Sequence, residues 1–165
     1  MRVDIVNKEP ETDVVIRFQD CDPFGHLNNA RYIDYFINAR EDHLADQYDL
    51  DIYERQKRYQ TNWVIAKTKI AYLAPVFFRE KVLIRTRLLR YTDRSLLMEG
   101  VMTDMTRKDL KSATWIEFRH FDLVRKTQIR HSGPLMDLFE KMAVRRFNTS
   151  DFDARVKALL CSDDK

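Results

Sequence analysis

Glycine and proline are scarce. Three glycines and four prolines in 165 residues fall far below an average combined usage of roughly 12%. That excludes collagen-like, linker-rich and low-complexity architectures. Gly25, Gly100 and Gly133 stand too far apart to build a glycine-rich phosphate loop. Cysteine is nearly absent. Cys21 and Cys161 make neither a disulfide framework nor a CxxC metal site. No apolar run approaches the ~20 residues that cross a bilayer. The opening MRVDIVNKEPETD lacks the apolar stretch of a secretory signal. A cytoplasmic protein without a membrane partner is expected. Charge of one sign is also lacking. Lys plus Arg is 29 and Asp plus Glu is 26, a net of +3, which argues against a dedicated nucleic-acid binder.

What is present suits an ordered chain. The composition is 44% hydrophobic and 12% aromatic, too apolar for disorder. The length fits about one domain, and we expect residues 1–165 to form one, with a core over about 12–145 and a tail over 146–165. Residues 12–19 alternate through Val14, Ile16 and Phe18, a strand pattern. Turn formers crowd residues 20–29, DCDPFGHLNN. Residues 30–47 read as a helix, with Ala30, Ile33, Phe36, Ile37 and Leu44 on one side and Asn28 or Asn29 as its cap. Residues 48–60 read as a polar connection with a short helical turn. Four strands follow, over 61–73, 82–90, 95–105 and 113–123, joined by hairpin-length connections. Pro134 opens a second helix with Leu135, Leu138, Phe139 and Met142. A short helix over 151–162 is expected in the tail. The order predicts an α+β fold in which an antiparallel sheet of about five strands wraps round one long helix. Met98, Met102, Trp115 and Phe121 leave large side chains for a second sheet face with no helix to cover it, which favours a homo-oligomer.

Chemistry concentrates in residues 17–40, RFQDCDPFGHLNNARYIDYFINAR. Pro23 pushes Asp22 towards an extended conformation, and Gly25 permits a sharp turn into the helix. A helix start offers free N–H groups and partial positive charge, which suits an oxyanion. A carboxylate beside such donors can activate water or attack a carbonyl carbon. The same spacing also suits a well-capped structural turn. A third reading is a metal held by Asp20, Asp22 and His26.

This stretch resembles the acid-containing hot-dog thioesterases, the family of 4-hydroxybenzoyl-CoA thioesterase and the acyl-carrier-protein thioesterases. The likeness resumes at IAYLAPVFFREKVLIRT, residues 70–86, and near SGPLMDLF. It implies the hot-dog fold and hydrolysis of an acyl-CoA or acyl-carrier-protein thioester, without metal or cofactor. Asp22 matches the family's catalytic carboxylate, as nucleophile or general base. Asp-Cys-Asp-Pro-x-Gly is similar to the 4-hydroxybenzoyl-CoA branch, whereas His26 with Asn28 and Asn29 resembles the acyl-carrier-protein branch. Asn29 stands at the oxyanion donor, with His26 as its catalytic neighbour. Asn28, Tyr32 and Arg94 match substrate-binding positions, Arg94 as a holder of CoA phosphates. The resemblance also implies a homodimer or homotetramer with sites at subunit interfaces.

A non-catalytic hot-dog module that binds acyl-CoA or acyl carrier protein is the alternative, although a binder has no need of a carboxylate at the thioester. A dehydratase would place a histidine with a carboxylate on the central helix, and the His-x-Asn-Asn context differs. His43, His120 and His131 read as ordinary surface or strand residues. Arg85, Arg87, Arg90 and Arg94 read as a solvated row that could also meet CoA phosphates. Cys21, between two carboxylates, should be a poor nucleophile.

Overall fold

The computed structural model describes residues 6–144 and 151–161. Residue 145 of the expected core, and 146–150 and 162–165 of the expected tail, lie outside the described residues. The elements in chain order are β1 (Glu11–Val15), α1 (Tyr32–Tyr48), α2 (Ile52–Tyr59), β2 (Thr61–Tyr72), β3 (Lys81–Tyr91), β4 (Ser95–Asp104), β5 (Leu110–Asp122), β6 (Thr127–Gln128), α3 (Gly133–Met142) and α4 (Phe152–Cys161). The strands form one antiparallel sheet in the order β1-β3-β4-β5-β2, with short β6 on β5. The sheet curls round α1 in the hot-dog arrangement. No described helix is long and apolar enough to cross a membrane.

α1 buries Tyr32, Tyr35, Phe36, Ala39, Arg40 and His43, spaced three or four residues apart, so they share one face. Phe36 is fully buried against Val82, Ile84 and Met102 of the sheet, worth roughly 1.5–3 kcal/mol. Its approach needs Gly100. A Cβ there would lie 2.5 Å from Cδ1 of Phe36 and 3.0 Å from Cγ2 of Thr114. The glycine inside β4 is therefore the slot into which the helix packs.

Several expectations need correction. β1 ends at Val15, because Ile16 turns to exchange hydrogen bonds with Glu80 and Arg79, and a 3₁₀ turn follows at Phe18–Asp20. The polar stretch 48–60 holds a full helix, α2. Asp51 caps it, accepting from the N–H groups of Tyr53 and Glu54.

The second sheet face is not bare. A bulge between Leu88 and Arg90 sends Leu88 inward and Leu89 outward. Met98 and Met102 point inward. Trp115, Val101 and Leu89 lie outside, beneath Phe152, Val156 and Leu159 of α4. Oligomerisation therefore does not follow from an uncovered face.

Arg85 and Arg87 are not a solvated row either. Arg87 donates from Nε to Glu99 at 2.8 Å and reaches Glu9 from Nη1 at 2.6 Å. Glu99, 1% exposed, also takes Arg155 Nε at 2.9 Å and Trp115 Nε1 at 3.0 Å. Burial would push the Glu99 carboxyl up. Arg155, Arg87 and Trp115 outweigh it and hold the carboxyl below its ordinary value. This cluster ties α4 to the sheet.

The three histidines are interior. His43 is 4% and His120 2% exposed, and His131 is also buried. His120 stacks on both Trp63 and His131, with ring centroids 4.9 and 4.8 Å away. Trp63 Nε1 donates to His131 Nε2 at 3.0 Å, so His131 carries its proton on Nδ1 and donates it to the Thr92 carbonyl at 3.1 Å.

Candidate active site

The loop before α1 is built on its own backbone. The N–H of Asp22 donates to the His26 carbonyl at 2.7 Å, and the N–H of Gly25 donates to the Asp22 carbonyl at 3.0 Å. Gly25 takes φ of +79°, a conformation glycine adopts without steric cost. The Asp22 side chain closes the turn, its Oδ1 accepting from the N–H groups of Phe24 at 2.9 Å and His26 at 3.1 Å. Its second oxygen has no protein partner among the described residues. The turn is pinned to the core through Leu27, whose N–H meets the Val76 carbonyl at 2.8 Å.

A short 3₁₀ turn, Asn29–Arg31, leads directly into α1. Asn28 caps it, its side chain accepting from the N–H of Ala30 at 2.9 Å. The N–H of Asn29 is one of the orphan donors of a helix start. Asp22, His26, Asn29 and Tyr32 line one cavity of about 240 Å³ with Tyr72 and Pro75. A carboxylate and a residue at the positive start of a helix thus line the same space.

His26 packs edge-on against Phe77 with ring centroids 4.9 Å apart. Tyr32 is buried edge-on to Tyr72 at 5.1 Å. Burial, then the Glu80 charge, push its phenol up. Sequence reasoning missed Tyr72, whose hydroxyl donates to the Asn29 carbonyl at 2.9 Å and steadies the helix start. The signal for it was the Tyr72-Leu73-Ala74-Pro75 stretch.

Asp20 is a structural member of the loop. Its Oδ2 accepts from the Tyr35 hydroxyl at 2.7 Å, and its carbonyl accepts from the N–H of Asn28 at 2.9 Å. Burial, with Asp20 beside it, drives the Tyr35 phenol to about 12. The three-ligand metal reading loses Asp20 to this role, and no metal-binding group of three is present among the described residues. Burial first, then Asp20 and Asp22, push the Cys21 thiol up, which weakens it as a nucleophile.

Arg94 is not brought to this cavity within one chain. It adjoins Ser95, which pairs with Arg119, whereas Tyr72 pairs with Ser112. Those seven residues of β5 separate the two points by about 24 Å.

Comparison with known proteins now decides the family. Residues 16–158 match the model of the thioesterase-like superfamily. The chain belongs to this superfamily. Long-chain acyl-CoA thioesterase FadM of Escherichia coli strain K12 is 24% identical over 132 residues, covering 80% of this chain and 98% of FadM. Among solved structures, DHNA-CoA thioesterase from Staphylococcus aureus superposes with a TM-score of 0.73 at 17% identity, covering 92% of each chain. The 1,4-dihydroxy-2-naphthoyl-CoA thioesterase from Synechocystis gives 0.72 at 11% identity, covering 79% of this chain and 95% of that one. These likenesses share the hot-dog fold of the superfamily.

Proposed function

We propose that the chain hydrolyses acyl-CoA thioesters to a free acid and CoA, with Asp22 as nucleophile or general base and the N–H of Asn29 as oxyanion donor. The supporting observation is the single cavity lined by both residues. As nucleophile, the free oxygen of Asp22 attacks the carbonyl carbon. The C–S bond breaks, CoA leaves as a thiolate that solvent protonates, and water then cleaves the mixed anhydride. As base, Asp22 takes a proton from water while the water oxygen adds to the carbonyl, and the tetrahedral intermediate expels the thiolate. Negative charge grows on the carbonyl oxygen along both routes, and the helix start is its natural resting place. His26 orients the substrate, Asn28 holds the helix start, and Tyr32 walls the cavity. CoA, the carrier named for FadM and the naphthoyl enzymes, is our choice over acyl carrier protein.

The active unit in this reading is a homodimer in the cytoplasm, each chain a single domain. β2 is an edge strand of 12 residues. Val64 and Ile65 on it are exposed. A two-fold pairing of β2 with its copy is self-complementary. It runs the Thr61 end of one strand beside the Tyr72 end of the other, which directs the partner's Arg94 towards the cavity and its CoA phosphates. Light scattering tests the dimer against a tetramer or monomer.

The decisive assay is CoA release from short, long and aromatic acyl-CoAs, read with a thiol reagent. Asp22→Ala should lower kcat by about 10²–10⁴. Turnover that survives the substitution removes Asp22 from the mechanism. Acyl-CoA binding with no turnover on CoA or acyl-carrier-protein thioesters leaves a binding module.

A further inference from the structure

We propose that Arg40 and the apolar cavity around it form a binding site for the carboxylate end of an aliphatic chain. The cavity, about 270 Å³, lies between α1, α2 and the inner face of the sheet, away from Asp22. Ile37 and Leu44 of α1 line it with Leu88, Leu96, Met98 and Phe118 of the sheet. Its size is near the lower end for ligand pockets, which suits a slender chain over a bulky body.

Arg40 lines this apolar space and is 6% exposed. No carboxylate lies within ion-pair distance of it among the described residues, and its Nη1 has no hydrogen-bond partner. Glu41 also lines the cavity, but its carboxylate accepts from the Tyr53 hydroxyl at 2.9 Å and makes no ion pair with Arg40. Tyr48 sets its ring 5.9 Å from the guanidinium carbon, and its hydroxyl also favours the Arg40 charge, but a neutral phenol supplies no counter-ion. Burial lowers the Arg40 pKa to about 10, which still leaves it charged at neutral pH.

A buried guanidinium without a counter-ion is unfavourable, so interior arginines are ordinarily paired. Arg87, 12% exposed, is by contrast paired with two glutamates. At Arg40 the partner lacking among the described residues has a defined chemistry. It is an anion whose flat, two-oxygen end matches the guanidinium fork, attached to a body that tolerates an apolar wall. A fatty carboxylate meets both requirements, whereas a nucleotide phosphate or a peptide acid would bury polar groups against Leu and Met side chains.

Eleven residues separate Asn29 from Arg40, about 16 Å along the helix. An extended chain gains ~1.2 Å per bond, so a chain of roughly a dozen carbons matches this separation. The carboxylate therefore has two sources with the same chemistry. It is the far end of a substrate acyl chain that carries a second carboxylate, or the head of a free fatty acid held apart from the reaction. The first source rests on the thioesterase reading; the second does not.

The test begins with binding, which needs no turnover. Titration calorimetry compares dodecanoate with dodecanol on the wild-type protein. A charge-assisted pair predicts that the acid binds about 10–100-fold tighter than the alcohol. Arg40→Met, a straight apolar replacement, should abolish that preference, and Arg40→Lys should retain part of it. Equal binding of acid and alcohol, no binding of either, or a preference that survives Arg40→Met overturns the proposal. The wild-type comparison stands even where a variant does not fold. With the preference established, CoA release from dodecanoyl-CoA and its ω-carboxy analogue separates the sources. A higher kcat/KM for the ω-carboxy thioester supports the substrate source. A higher value for dodecanoyl-CoA, with inhibition by free dodecanoate in wild type but not in Arg40→Met, supports the free-acid source. Arg40-dependent dodecanoate binding with no turnover of any thioester upholds this site while overturning the thioesterase reading.

Discussion

The candidate chemistry depends on how single residues aim a loop at a helix end. Asn28 is the hinge between the two, because its side chain takes the N–H of Ala30 and fixes the turn in which Asn29, the oxyanion donor we propose, lines the cavity. Asn28→Ala should cost about 1 kcal/mol of stability through the lost cap. It should also lower kcat more than it raises KM, because the donor it disturbs acts on the transition state. Asn28→Asp, which keeps the cap, should restore stability in thermal unfolding and most of kcat. A side chain that contacts substrate directly would show its loss in KM instead. Much of this region was legible in the sequence, since Asp22-Pro23, Gly25 and the two asparagines each have a local backbone meaning. Asp20 was not separable from Asp22, because the partner that assigns it, Tyr35, is fifteen residues away on the helix. The burial of the histidines was missed for a related reason. Isolated in sequence, His43 meets Thr86, and His120 and His131 meet each other and Trp63, contacts that only the folded sheet creates.

At the scale of elements, α1 and the sheet are fitted through one glycine. Gly100→Ala would place a methyl group 2.5 Å from the Phe36 ring, with Thr114 behind it at 3.0 Å. Phe36 is fully buried, so the helix must shift or the ring must leave its rotamer. We expect a loss of about 1–3 kcal/mol, read as a lower urea midpoint at unchanged slope. The paired variant Gly100→Ala with Phe36→Leu should recover part of it, and no loss in the single variant would contradict this account of the packing. The long elements were legible because their hydrophobic period is regular. α1 and β2–β5 lie close to where periodicity put them. α2 escaped because its sequence, IYERQKRY, has too few apolar residues to show a stripe. Its only local marks were Asp51 and the Glu54 that follows three residues later. The cover provided by α4 escaped because a sheet face records that it is apolar, not what lies on it.

At the scale of the molecule, the interior holds more ionisable groups than its enzyme chemistry needs, and these set how the fold responds to acid. His43 and His120 are each pushed down to about 4, by burial first and then by the charge of Arg40 and the ring of His131 respectively. His131 is lowered as well, chiefly by burial. The groups facing them differ. Arg40 opposes a charge on His43 while Asp42, Asp46 and Glu11 favour it. Arg55 opposes a charge on His120 and His131, and Asp93 favours one on His131. In the unfolded chain each histidine titrates near 6.5. Between pH 6.5 and 4 the unfolded state therefore binds more protons than the native state, and stability falls as pH falls. The stabilisation is fully present above pH 6.5. By pH 5 His43 and His120 should each have lost about 2 kcal/mol of it, a large share of a typical 5–15 kcal/mol. Unfolding free energies from urea titrations at pH 7.5, 6 and 5 should decline accordingly, with most of the loss below pH 6. His120→Phe keeps an aromatic ring in the stack with Trp63 and removes the titrating nitrogens. It should flatten the decline by about half while leaving the His43 contribution in place. A stability that stays level from pH 7.5 to 5, or a decline unchanged in His120→Phe, would show that these rings accept protons inside the fold, and the neutral stack of Trp63, His120 and His131 would have to be redrawn.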